Sequence, residues 1–134
     1  MMLLVDTSVW SLALRRDPPM SAAPQVRALR DALEGDEIVV TTGLVLQELL
    51  QGFAGPRARQ DIIDRFAALP LLGPDRQDHI DAAALRNRCR RAGVQVGTID
   101  ALLAQLCIRH GLTLLTTDND FVHAALHCPL KLWT

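Results

Sequence analysis

Short aliphatic runs alternate with amphipathic segments along this chain, and no two runs are joined by the tight turn that would fold them into a hairpin. No other feature constrains the fold as strongly. Strands that can meet only after an intervening helix lie parallel, and a parallel sheet needs helices over both faces. The runs are "LLV" at Leu3 to Val5, "EIVVTT" at Glu37 to Thr42, a short "PLL", "LTLLTT", and "PLKLW" near the end. Between them the spacing predicts helices. "TSVWSLALRR" is the first, closed by "DPP" at Asp17 to Pro19, with a loop from Ser21 to Pro24. "PQVRALRDALEG" follows, with Val26, Leu29 and Leu33 as its apolar stripe and Gly35 as its stop. Further helices cover Gly43 to Phe53, the segment after Gly55-Pro56, "DRQDHIDAAALRNRCRRAG" as far as Gly93, Thr98 to His110 before Gly111, and "DFVHAALH". The expectation is an α/β fold in one domain, residues 1–134.

Composition supports a packed core. Of 134 residues 49% are hydrophobic and 22% charged, which excludes a disordered polyelectrolyte. No apolar run approaches a membrane span. No basic segment precedes "MMLLV", and Asp6 interrupts the apolar run, so the sequence predicts a cytoplasmic protein. The three cysteines, Cys89, Cys107 and Cys128, have no metal-ligand spacing and an odd count; they read as buried or half-buried thiols.

In a parallel α/β sheet, ligands bind beyond the carboxyl ends of the strands. Acids stand at those positions here. Asp6 follows the first strand; Asp118 and Asp120 follow the fourth in "LLTTDNDF". Asp100 lies in the first turn of the helix starting at Thr98, and Glu48 lies in the helix after the second strand. Both helices begin at the same sheet edge. Each acid also has an ordinary structural use: a helix cap for Asp6, dipole complementarity for Asp100, an Asx-type turn for Asp118 and Asp120, a solvated face for Glu48. Their joint placement points elsewhere. Carboxylates packed together repel one another and raise each other's pKa, so a cluster calls for a hard cation; all-oxygen ligands suit Mg²⁺ or Mn²⁺.

Other groups fit ordinary roles. His79, His110, His123 and His127 show no zinc pattern and read as surface residues. Asp78 and Asp81 suit the start of the long helix. There is no phosphate-binding glycine loop, and Ser8 and Ser11 lack a nucleophile elbow.

Four stretches in this order, "LLVDTSVW", "LVLQELLQGF", "VGTIDALLAQ" and "LLTTDNDF", resemble the PIN-domain family, specifically the VapC-type toxins of bacterial toxin–antitoxin pairs. The resemblance implies a three-layer α/β/α fold with a parallel sheet of about five strands. It implies a Mg²⁺- or Mn²⁺-dependent endoribonuclease silenced by a VapB-type antitoxin, and homodimers. Carried over by motif, Asp6, Glu48, Asp100 and Asp118 form the acidic quartet that is both catalytic and metal-binding. Asp120 is a fifth, since either acid of "DND" can face the metal. Thr7, Ser8, Thr98 and Thr117 match polar positions lining the pocket.

The mechanism so implied is hydrolysis of an RNA phosphodiester. Asp6, Asp100 and Asp118 hold one ion, while Glu48 binds a second or orients the attacking water. Transfer, ribosomal and messenger RNA are all open as substrates. Thirteen of the fourteen basic residues are arginine, which suits phosphate, although a GC-rich genome gives the same bias. Arg86 and Arg90 share a helix face as candidate RNA contacts, with a plain solvated face as the alternative. Trp10, Leu14 and the "VRALRDAL" helix are candidates for antitoxin contact; core packing also accounts for Trp10. Two other readings are a PIN-like binding module without catalysis and a Mg²⁺-binding receiver domain. The receiver would need an Asp at the end of a mid-chain strand; none follows "EIVV" or "PLL" at the right point, and Lys131 comes too late for a helix to follow.

Overall fold

The computed structural model describes residues 1–15 and 23–134. The expected closure of the first helix at Asp17 to Pro19, and the start of the loop at Ser21, lie outside these residues. The described elements follow one another as β1 (Met2–Val5), α1 (Thr7–Leu14), α2 (Pro24–Glu34), β2 (Ile38–Thr42), α3 (Gly43–Gly52), α4 (Pro56–Ala67), β3 (Leu71–Leu72), α5 (Arg76–Arg91), α6 (Thr98–His110), β4 (Thr113–Leu115), α7 (Asn119–Ala124) and β5 (Lys131–Leu132). The five strands form one sheet in the order β3-β2-β1-β4-β5, and each pairing is parallel. A receiver domain follows the order 2-1-3-4-5, so this topology rules that alternative out.

The helix ends have local causes. Pro24 and Pro56 open α2 and α4, where a missing N–H costs nothing. Gly111 closes α6 in the left-handed region at φ 65°, its N–H bonding back to the last turn, and Leu112 then returns to Cys107 O at 2.9 Å. A side chain at 111 would strain that turn. α5 begins with a reciprocal capping box between Asp75 and Asp78.

The central strands are apolar on both faces. Leu3, Leu4, Val5, Val39, Val40, Leu114 and Leu115 are all buried, as a sheet covered by helices on each side requires. In one group of helices, α1 touches α2 and α3, and α3 touches α4; elsewhere α5 packs along α6. With the sheet these make three layers. In α6, Ala101 through Cys107 are buried without a break, so this helix lies inside the molecule. Trp10 is core: it is buried and packs at a tilt on Phe66, with ring centroids 4.9 Å apart. Cys89 and Cys107 are buried and Cys128 half-buried, all as free thiols. No helix among the described residues is long and apolar enough to cross a membrane.

The structure moves some boundaries. α2 buries Val26, Leu29 and Ala32, while Leu33 is 42% exposed at the rim of a surface cavity beside Trp10 and Leu14. Positions 32 and 33 are almost equally placed on the apolar arc, and packing chose the smaller residue. β2 starts at Ile38 rather than Glu37, because its ladder begins opposite Met2. β4 stops at Leu115, because the Thr116 hydroxyl takes the Asp118 N–H and turns the chain out of the sheet.

Candidate metal centre

β1 is central: the chain leaves it for β2 and then β3 on one side, and crosses back through α5 and α6 to lay β4 on the other. The carboxyl ends of β1 and β4 therefore flank a topological switch point, where open α/β sheets place their ligands. The register decides which side chains meet there. Val5 pairs with Leu115, and the Asp6 N–H donates to Leu115 O at 3.0 Å, so Asp6 and Thr116 come next to each other.

Asp6 stands at the N-cap of α1, yet its side chain makes no capping bond. The helix-cap explanation therefore fails for this residue. The carboxylate is buried, and its Oδ2 accepts from Ser8 Oγ at 2.8 Å and from Thr116 Oγ1 at 2.7 Å. Ser8 Oγ also accepts from the Thr117 N–H at 3.1 Å. These bonds tie the β1–α1 junction to the β4–α7 loop across the crevice.

Asp118 caps α7, its Oδ1 accepting from the Asp120 N–H at 2.9 Å. The turn explanation is correct here, and the turn has a consequence. It draws Asp120 alongside Asp118 and opposite Asp100. One carboxylate oxygen from each of Asp100, Asp118 and Asp120 lies within 4.8 Å of the other two. Asp100 reaches the trio from the first turn of α6. Glu48 projects from α3, which starts at the same edge because Thr42 ends β2 and caps the helix by accepting from the Val45 N–H at 3.2 Å.

The electrostatics join all five acids. Burial, followed by the charges of Asp6, Asp118, Glu48 and Asp120, pushes the Asp100 pKa up to about 6. Burial and then Asp6 raise that of Glu48. Among the described residues no ion pair reaches any of the five; the one ion pair there joins Arg109 to Asp78. Five carboxylates with no ion-paired cation among the described residues, four of them repelling the half-buried fifth, make a donor set that fits a hard divalent ion.

Compared with the set expected from sequence, the compact trio contains Asp120 in addition to Asp100 and Asp118, while Asp6 and Glu48 sit beyond it at electrostatic range. The Ser8 and Thr116 hydroxyls bind the Asp6 carboxylate at the β1–α1 junction. Among the polar candidates, Ser8 is in the network. Thr117 joins it through its backbone N–H, and its side chain is exposed. The Thr7 hydroxyl is buried and has no partner among the described residues. Thr98 is exposed and lines a neighbouring cavity with His79 and Arg86. Thr116 is the residue that sequence reasoning missed. Its signal is the pairing of β1 with β4, which neighbouring residues do not reveal.

Arg86 and Arg90 lie on α5, half-buried and exposed respectively. Both line a cavity of about 400 Å³ that also reaches Gly97 and Asp120. The four histidines take no part in the acid cluster. Asp78 does more than complement a helix dipole. It is fully buried and paired with Arg109 through two bonds of 2.7 Å.

Comparison with known proteins agrees with this geometry. A PIN-domain family model matches residues 3–126. The chain is 33% identical over 124 residues to VapC ribonuclease Mb1587 of Mycobacterium bovis, covering 90% of this chain and 89% of that one. In fold it is similar to VapBC2 of Rickettsia felis, solved bound to a promoter DNA fragment, with a TM-score of 0.76, 20% identity, and coverage of 99% and 98%. It is also similar to VapC20 of Mycobacterium tuberculosis, a toxin that cleaves the sarcin-ricin loop, with a TM-score of 0.69, 19% identity, and coverage of 91% and 94%. The sheet order, the acids gathered beyond the carboxyl ends of β1 and β4, and a match running over nearly all the residues agree: this chain belongs to the PIN-domain family.

Proposed function

We propose that this chain is a single-domain, VapC-type endoribonuclease, dependent on Mg²⁺ or Mn²⁺, that acts in the cytoplasm as the toxin of a toxin–antitoxin pair. A cognate VapB-type antitoxin would silence it, and it would work as a homodimer. The observation that carries the reading is the acid cluster: five carboxylates from four separate parts of the chain, without a compensating protein cation among the described residues. The named mycobacterial ribonuclease relative supports the choice of RNA.

Asp6, Asp100, Asp118 and Asp120 would hold the ion, directly or through water. The ion would supply charge neutralisation at the scissile phosphate and a lowered pKa for the attacking water. Glu48, raised in pKa by burial and by Asp6, suits accepting that water's proton at its carboxylate. Ser8 and Thr116 fix Asp6 in one orientation by donating to its Oδ2, which leaves Oδ1 without a hydrogen-bond partner among the described residues.

Metal addition tests this. An ion that binds only the folded chain stabilises it by about 2.7 kcal/mol at a hundredfold excess over its Kd. Mn²⁺ should therefore raise the melting temperature by several degrees, and EDTA should reverse the rise and stop RNA cleavage. Asp6→Asn should show a much smaller rise. An Asp6→Asn shift equal to wild type, read by differential scanning fluorimetry, would remove Asp6 from the ion's site.

A further inference from the structure

The acid cluster poses an electrostatic difficulty for the proposed substrate. A polyanion must approach five carboxylates on a chain of net charge −1, and screening weakens that repulsion only beyond about 8 Å. Cations placed beside the cluster would offset it. The cavity of about 400 Å³ lined by Arg86, Arg90, Val96, Gly97 and Asp120 supplies two, and it shares Asp120 with the acid trio.

The arginines are set differently. Arg86 donates its Nε to Val96 O at 2.8 Å. That bond fixes the guanidinium and fastens the turn leading through Gly97 into α6, which carries Asp100. Nη1 and Nη2 of Arg86 have no partner among the described residues. Arg90, one turn along, is exposed and braced by Asn87 Oδ1. A guanidinium held in place with its outer nitrogens free can grip a phosphate through two hydrogen bonds, and it has less rotamer freedom to lose on binding.

We propose that this cavity seats a phosphodiester of a single RNA strand, flanking the phosphate at the acid cluster, with Arg86 and Arg90 as its ligands. Arg86 is in addition a positioning residue for the turn before α6. The inference rests on the nuclease reading above and names where its substrate strand runs.

The test uses the full chain and a fluorescein-labelled, mixed-sequence single-stranded RNA. Binding is read by anisotropy in EDTA, so that no metal-dependent cleavage occurs, across a series of NaCl concentrations. Cleavage with Mn²⁺ is measured separately. Each phosphate contact to a single strand contributes about 0.7 to the slope of log K against log salt. Arg90→Ala, at an exposed position, should weaken binding roughly 5- to 10-fold at low salt and lower the slope by about 0.7, with the double Arg86→Ala/Arg90→Ala variant losing about twice that slope. In cleavage, Arg90→Ala should raise KM and leave kcat near wild type, whereas Arg86→Ala should lower kcat as well. Arg57→Ala, on α4 beside a separate cavity, should keep the wild-type slope.

Unchanged slopes in the single and double variants, from a chain that still cleaves RNA with Mn²⁺, would overturn the subsite and leave the nuclease reading standing. An equal loss in Arg57→Ala would also overturn it, by showing diffuse attraction. Wild-type chain that neither cleaves RNA nor responds to Mn²⁺ would end the nuclease reading, and this inference with it.

Discussion

Asp100→Asn is expected to melt at a higher temperature than the metal-free wild-type protein and to cleave RNA at least about a hundredfold more slowly. The two effects share one cause. Burial and four neighbouring carboxylates lift the Asp100 pKa to about 6 from an ordinary value of 3.8. The folded state thus binds this proton more tightly than the unfolded state does. The resulting contribution to stability is complete below about pH 4, shrinks as pH rises, and is gone above about pH 6. At neutral pH the metal-free wild type therefore bears the full cost of an ionised, crowded carboxylate. A shift of about 2 units corresponds to roughly 3 kcal/mol, and screening at this half-exposed position reduces that to the order of 1–2 kcal/mol. Asparagine has nearly the same shape and no charge, so the variant escapes the cost while losing a ligand. Thermal melts in EDTA should coincide near pH 4 and separate progressively toward pH 6.5. A variant that is inactive and also less stable at neutral pH would mean that Asp100 is not crowded by the other acids.

Removing the Asp78 side chain should cost more stability than removing any of the five clustered acids. Asp78 is fully buried, with Oδ1 on Arg109 Nε and Oδ2 on Arg109 Nη2, both at 2.7 Å. Oδ2 also accepts from the Asp75 N–H at 2.9 Å to complete the capping box. Burial by itself would raise its pKa, but Arg109, the Asp75 backbone and Gln105 outweigh burial and hold it below the usual carboxylate value. Because the folded pKa is depressed, this contribution is present above about pH 4 and lost as pH falls through the folded value. Breaking a fully buried pair typically costs about 3–5 kcal/mol. Arg109 is 38% exposed and can turn toward water, so Asp78→Ala should cost on the order of 2–4 kcal/mol, including about 1 for the cap. Urea unfolding measures it, and a cycle with Arg109→Ala separates the pair from the cap. A loss under about 0.5 kcal/mol would show the pair to be incidental. The same contact clamps α5, which carries Arg86, to α6, which carries Asp100, so Asp78→Ala should also loosen α5 against α6.

Most elements were legible because their causes are local. Runs of aliphatic and β-branched residues mark β1, β2 and β4 as strands covered on both sides. Pro24 and Pro56 start helices, Gly111 stops one, and the lack of hairpin turns forces the strands to be parallel. The acids were legible because a parallel sheet sends each strand's carboxyl end to the same edge. What the tertiary structure alone decided depends on contacts between distant residues. Thr116, and not Thr117, donates its hydroxyl to Asp6 because β1 and β4 pair in one register out of several that their aliphatic residues would allow. Asp78 is an ion-pair partner because α6 returns Arg109 to it 31 residues later. Asp120 joins the metal-type trio because a cap on a six-residue helix places it there, and Arg86 is fastened to the turn before α6 because Val96 O accepts from its Nε. Propensity and periodicity act within a few residues of their source, whereas register and side-chain pairing are set only when the whole sheet and its helices pack together.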